Sequence, residues 1–131
     1  MYKNPGIVKS FLGSGAIGAN LIVKFGADDN TVSPAAAATD LLLGITNEIA
    51  LVALDVTNGN MTDVTMSGVE QLKLGAAAVV RGQKLTSNAT GQGITAAPAA
   101  GSNVQVIGIA LKSGAAGDII PVLIMPSVMQ G

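Results

Sequence analysis

The chain has 131 residues and a net charge of −1, and only 11% of its positions are charged although 49% are hydrophobic. That length suits one domain around a single core, and the absence of histidine and cysteine excludes Ser-His and Cys-His nucleophile systems, disulfides, thiolate metal sites and most zinc sites. An ordinary soluble domain is about 25% charged, so a surface this poor in charge points to contact with protein more than with bulk water.

In chain order, Pro5, Gly6, Gly13, Gly15 and Gly18 break up the first twenty residues, because each interior glycine costs a helix about 1 kcal/mol. The expectation there is an extended N-terminal arm, residues 1–20, with a short strand near 7–12. Residues 21–25 predict a strand, and Gly26-Ala27-Asp28-Asp29-Asn30 a turn. Pro34 with four alanines favours a helical start, but its counterpart Pro98-Ala99-Ala100-Gly101-Ser102-Asn103 has loop chemistry, so one helical turn is the limit. Residues 41–46 predict a strand. The apolar run 49–56 predicts a buried strand ended by Asn58-Gly59, a strong turn signal. Strands are expected at 63–66 and 69–74, around 79–85, at 104–111, and at 119–125, the last ended by Pro126. The fold class that follows is all-β: a compact barrel or sandwich of short antiparallel strands, with the N-terminal arm and at most short helical turns. Residues 21–131 form its single β domain.

That domain contains an internal pseudo-repeat, 23–46 and 85–110. Pro34 to Thr46 matches Pro98 to Ala110, with Gly44 standing where Gly108 stands 64 residues later. Each glycine marks a bulge or a close backbone approach within a strand.

Little in the chain carries chemistry. The cations are scattered singly and aromatic residues make up 2% of the chain, so neither a phosphate-binding patch nor a base-stacking platform is present and nucleic acid is not an expected partner. No apolar stretch approaches the ~20 residues of a membrane-spanning helix, and the N-terminus lacks the apolar core of a signal peptide. Asp55, Asp63 and Glu70 could form a glycosidase-like carboxylate pair, but solvated loop acids are the plainer reading without sugar-stacking aromatics. Asp28-Asp29-Asn30 lacks the closing Glu of a calcium loop, and Gly91-Gln92-Gly93 lacks the strand, helix and Lys of a phosphate loop. No catalytic residue, cofactor, metal or small-molecule substrate is expected. Tyr2 and Phe11 place two of three aromatics in the first dozen residues, which marks Tyr2, Ile7, Val8, Phe11 and Leu12 as a candidate anchoring interface.

Over nearly its whole length the chain resembles the capsid cement, or head decoration, proteins of tailed bacteriophages. The resemblance rests on Lys3-Asn4-Pro5-Gly6-Ile7-Val8-Lys9-Ser10, Ile22-Val23-Lys24-Phe25-Gly26-Ala27, and Ala35-Ala36-Ala37-Ala38-Thr39-Asp40 leading to Leu43-Gly44-Ile45. It continues through Gly82-Gln83-Lys84-Leu85-Thr86-Ser87-Asn88-Ala89, Val106-Ile107-Gly108-Ile109-Ala110, Ser113-Gly114-Ala115-Ala116-Gly117-Asp118-Ile119 and Val128-Met129-Gln130-Gly131. The Ala-rich Gly75-Ala76-Ala77-Ala78-Val79 departs from the pattern. The resemblance implies a virion protein, made in the host cytoplasm, that forms a homotrimer on the outer capsid surface and clamps subunits of the major capsid protein. The rival structural reading is a self-assembling tail-tube or fibre subunit, which would polymerise head to tail.

Overall fold

The computed structural model describes residues 3–131. Aliphatic runs form strands between turns that Gly, Asn and Asp make possible. These are β1 (Asn4–Pro5), β2 (Val8–Gly13), β3 (Ile22–Phe25), β4 (Thr31–Pro34), β5 (Leu42–Thr46), β6 (Met61–Thr65), β7 (Gly68–Lys73), β8 (Lys84–Ser87), β9 (Gly93–Thr95), β10 (Asn103–Ala110) and β11 (Ile119–Gln130). One short helix, α1 (Ala53–Thr57), stands between β5 and β6. The all-β expectation holds.

Two halves share one topology. Strands β2 to β6 close a barrel in the order β2-β4-β3-β5-β6, while a six-stranded sheet runs β1-β7-β11-β10-β8-β9. Followed from β2 through β6, the barrel order becomes 2-6-5-3-4, and the sheet beyond β1 reads 7-11-10-8-9, so each strand has its counterpart five strands later. Register agrees as well: Val23 faces Gly44 across β3 and β5, and Leu85 faces Gly108 across β8 and β10. The barrel closes through a parallel contact of β2 with β4 at Leu12–Thr31 and Gly13–Val32, the one departure from antiparallel pairing among the named strands. In the second half the corresponding closure has shrunk to a single parallel bridge, Leu74–Gly93.

The repeated glycines have a steric reason. A Cβ on Gly44 would overlap the Thr65 carbonyl oxygen of β6, and one on Gly108 the Leu123 carbonyl oxygen of β11. At both sites the neighbouring backbone occupies the space a side chain needs.

Burial follows from strand alternation. Val23 points into the barrel with Ile17, Val32, Leu51 and Val64. Its neighbour Ile22 points out of the barrel and joins Leu42 and Ile45 against Leu72, Leu85, Ile107, Ile120 and Val122 of the second half. Ile22 and Val23 of β3 and most of β5 are thus covered on both faces, which is why adjacent positions there are apolar. A further tie crosses the halves: the buried Glu70 carboxylate accepts from Thr65 Oγ1 at 2.7 Å and from Lys3 Nζ at 3.4 Å, and Lys3 also reaches Glu48 at 2.7 Å.

Two expectations are corrected. The run 49–56 is not a buried strand: Leu51 alone is buried, bridging to Ile17, and the chain then turns into α1. Asp55 Oδ2 accepts from Val52 N–H at 3.0 Å, capping the first turn, and Gly59 at φ 75° ends it. Nor does Pro126 end the last strand. Val106 pairs with Ser127 and Gly108 with Ile124, so Met125 and Pro126 together oppose Ile107 in a bulge. A bulge tolerates the missing N–H of proline, and β11 runs on to Gln130. The alanine run forms only a turn, because Asp40 Oδ2 accepts from Ala36 and Ala37 N–H at 2.8 and 3.0 Å.

Candidate docking surface

Of the anchoring residues expected from sequence, Tyr2 lies outside the described residues. Ile7 and Val8 are exposed at the entry to β2. The extended segment that carries them is fastened to the protein's own sheet: Gly6 N donates to Ser67 O at 2.9 Å, Ile7 N to Ser67 Oγ at 2.8 Å, and Met66 N to Ile7 O at 2.8 Å. Farther along, β2 pairs with β6 from Val8–Thr65 to Leu12–Met61. Phe11 is half-buried against the barrel cluster, and Lys9 Nζ lies 4.6 Å from its ring centroid. Leu12 is half-buried opposite the exposed Met61.

The structure adds Ile49, Val52 and Leu54, which belong to the apolar run expected as a buried strand, and Met61, which lies outside that run. Ile49 is 69% and Leu54 67% exposed, and Val52 and Met61 are each more than half exposed. Ile49 and Met61 line a shallow depression of ≈ 430 Å³ whose walls also include Asn47, Leu51, Asn60 and Thr62. Single exposed aliphatics are ordinary, but a cluster on one loop, continuous with Leu12 through Met61, forms an apolar surface of the kind that marks a protein contact. The signal was available in sequence: an acid three residues after Val52 and Asn58-Gly59 after Thr57 bracket a short helix.

Asp55 and Asp63 line that same depression, while Glu70 lies elsewhere, 1% exposed beneath Lys3. Both depression acids already have partners. Asp55 accepts from Val52 N–H and from Asn60 Nδ2 at 3.1 Å, and Asp63 accepts from Ser10 Oγ at 2.6 Å. Their chemistry is that of turn caps and strand ties. Among the described residues no cluster of three or more His, Cys, Asp or Glu could hold a metal ion.

Charge is sparse, and ion pairs join Lys3 to Glu48 and Glu70 and Lys24 to Asp40. Hydrogen bonding from Lys3 pulls the Glu48 carboxyl below its ordinary value, and the Glu48 bond raises Lys3 in turn. The Ala36 N–H, with Lys24 at 3.4 Å, lowers Asp40. A surface built this way presents little long-range field and many small apolar contacts.

Comparison with known proteins gives a family and a fold neighbour. The model of the phage cement protein family matches residues 12–124. The structure is similar to the crystal structure of the head fiber gp8.5 N base in bacteriophage phi29, at 17% identity and a TM-score of 0.63, over 91% of this chain and 93% of that one. No curated protein sequence matches.

Proposed function

Because the chain belongs to the phage cement protein family, we propose that this phage structural protein binds the outer capsid surface as a homotrimer and clamps adjoining subunits of the major capsid protein. The match across residues 12–124 carries this reading, and the exposed apolar loop around α1 supports it. Fastening a shell under internal pressure needs grip across seams and no turnover. A trimer that engages several capsid subunits multiplies modest contacts into avidity. An ordinary interface buries ~800 Å² per partner, and its apolar part contributes ~25 cal/mol/Å² before association costs.

The contact surface in this reading has two adjoining parts. One is the N-terminal segment, residues 1–20, with Tyr2, Ile7, Val8, Phe11 and Leu12, which reaches onto a capsid subunit or an adjoining protomer. The other is the loop bearing Ile49, Val52, Leu54 and Met61, which meets the first where Leu12 lies opposite Met61. Removing β2 would open the barrel, so the test is Ile7→Ser with Val8→Ser, both exposed positions. Occupancy on expanded, undecorated capsids is expected to fall while the fold is kept, and full occupancy would refute a role for the segment.

The head-fibre neighbour favours one second reading, a fibre base. Light scattering separates polymer from closed trimer, and electron microscopy of decorated particles shows whether a fibre rises from each site.

A further inference from the structure

Two strands of this chain carry unsatisfied backbone edges, and the edges match. Strand β11 parts from β7 at the Ile124–Gly68 pair, yet it continues to Gln130 with only β10 beside it. Alternation fixes which groups face out. Gly131 N donates inward to Ser102 O at 2.9 Å, so Met129 and Ser127 also point inward, and Val128 and Gln130 turn their N–H and C=O away from β10. Gln105, opposite Val128, agrees, since its N–H leaves the far side of β10 to reach Ala38 O at 2.7 Å.

The second edge is the start of β2. Leu12 N donates to Asn30 O and Ser14 N to Val32 O, both on the β4 side, whereas Ile7 O accepts from Met66 N on the β6 side. Val8 and Ser10 therefore offer their N–H and C=O on the β4 side, ahead of the point where pairing with β4 begins at Leu12. Both residues are exposed, as are Pro126, Ser127, Val128 and Gln130.

We propose that these edges pair between copies of this chain, the β11 tail at Val128 and Gln130 adding as a strand beside Val8 and Ser10 of the next protomer. This rests on the trimeric reading above and names the surfaces that would build it. Each edge presents donors and acceptors two residues apart, so the two are commensurate. Exposed edges are guarded by charge, proline or a bulge; residues 119–131 contain no charge, the proline and bulge at Met125–Pro126 lie before the stretch at Val128 and Gln130, and Lys9 on β2 folds over Phe11. Ile7 and Val8 on one edge, and Met125 and Val128 on the other, are exposed aliphatics that such pairing would cover. No strand pairing joins β2 to β11 within the described chain. Joining two different surfaces gives a head-to-tail contact, which closes into a ring when the rotation allows.

Val128→Pro tests the idea, because it removes an outward N–H and leaves the β10 ladder intact. The expected result is a wild-type far-UV spectrum with the light-scattering mass reduced from trimer to protomer. As a second variant, Ser10→Cys with Val128→Cys in this cysteine-free chain is expected to give a disulfide-linked trimer on non-reducing gels, each single variant remaining uncrosslinked. A folded Val128→Pro that stays trimeric, or a trimeric double variant that does not crosslink, overturns the proposal. Capsid occupancy read in parallel tells the two ideas apart. Wild type that decorates as a trimer alongside a trimeric Val128→Pro sinks the edge pairing alone, and wild type that neither trimerises nor decorates sinks the cement reading with it.

Discussion

Alanine at Gly108 is the sharpest test of the duplicated architecture. Gly108 lies on β10 between Leu85 of β8 and Ile124 of β11. A new Cβ there overlaps the Leu123 carbonyl oxygen and stands 2.9 Å from the Leu123 carbonyl carbon and 3.1 Å from Ile124 Cα. Ordinary carbon contacts are about 3.5–4.0 Å, and every atom in the way is backbone, so no rotamer change relieves the clash. Strands β10 and β11 must separate locally, stretching the ladder on both sides. Overpacking of this kind costs about 1–3 kcal/mol, and the top of that range applies to a central strand. The smaller unfolded-state entropy of alanine returns about 0.5 kcal/mol, leaving a loss near 2.5 kcal/mol, or about 10 °C in melting temperature. Far-UV circular dichroism melts at equal protomer concentration measure it. Gly15→Ala is the control, since nothing lies within 4 Å of its Cβ position. If Gly108→Ala melts within about 2 °C of Gly15→Ala, the close-approach argument fails for Gly108 and for Gly44, where the same loss is expected.

Leu51→Ala should cost about 3 kcal/mol in denaturant unfolding, because Leu51 is the buried pin of an otherwise exposed loop. Ile49→Ser with Leu54→Ser should change stability by no more than about 0.5 kcal/mol per site, yet lower the affinity for undecorated capsids at least about tenfold in a sedimentation assay. The Asp40 carboxyl is lowered from 3.8 by the Ala36 N–H and by Lys24, so its contribution is complete above that value and is lost as pH falls through the folded one. Asp40→Asn should therefore lose about 1 kcal/mol at neutral pH and show a shallower acid limb below about pH 4 in a stability profile. Capsid binding should change little between about 50 and 500 mM salt, because apolar contacts are not screened; a steep salt dependence would show that charge carries the interface.

The strands legible in the sequence are those where aliphatic residues stand between Gly, Pro, Asn or Asp turn signals, as in β2, β3, β5, β7 and β10. Gly44 and Gly108 could be read as close approaches because the same string occurs twice, and a repeat distinguishes a required glycine from a permissive one. The run 49–56 is misleading for a physical reason: apolar content does not mean burial where Asp55 and Asn58-Gly59 set the local backbone. Pro126 misled in the opposite direction, as a breaker absorbed by a bulge that only the register of β10 reveals. Strands β4 and β9 are too short and polar to announce themselves, and they exist because β3 and β8 hold them by hairpin pairing. The exposed loop of the docking surface was visible as residues and invisible as a surface, since exposure depends on what the fold leaves uncovered.

The two halves differ in one respect that bears on assembly. In the first, β6 has five residues and β4 four, lengths that let the parallel contact with β2 close the ring and leave few open edges. In the second, β9 has three residues and β11 twelve, so the ring barely closes and one strand overshoots it. No residue after Ile124 is buried. The tail therefore contributes almost nothing to the core that the rest of β11 serves, while half of its backbone groups face away from β10. Within the described chain, pairing with β10 alone holds residues 125–130 as an uncharged strand. A second copy adding to its free edge would meet a segment already extended by β10, with much of its conformational entropy already spent.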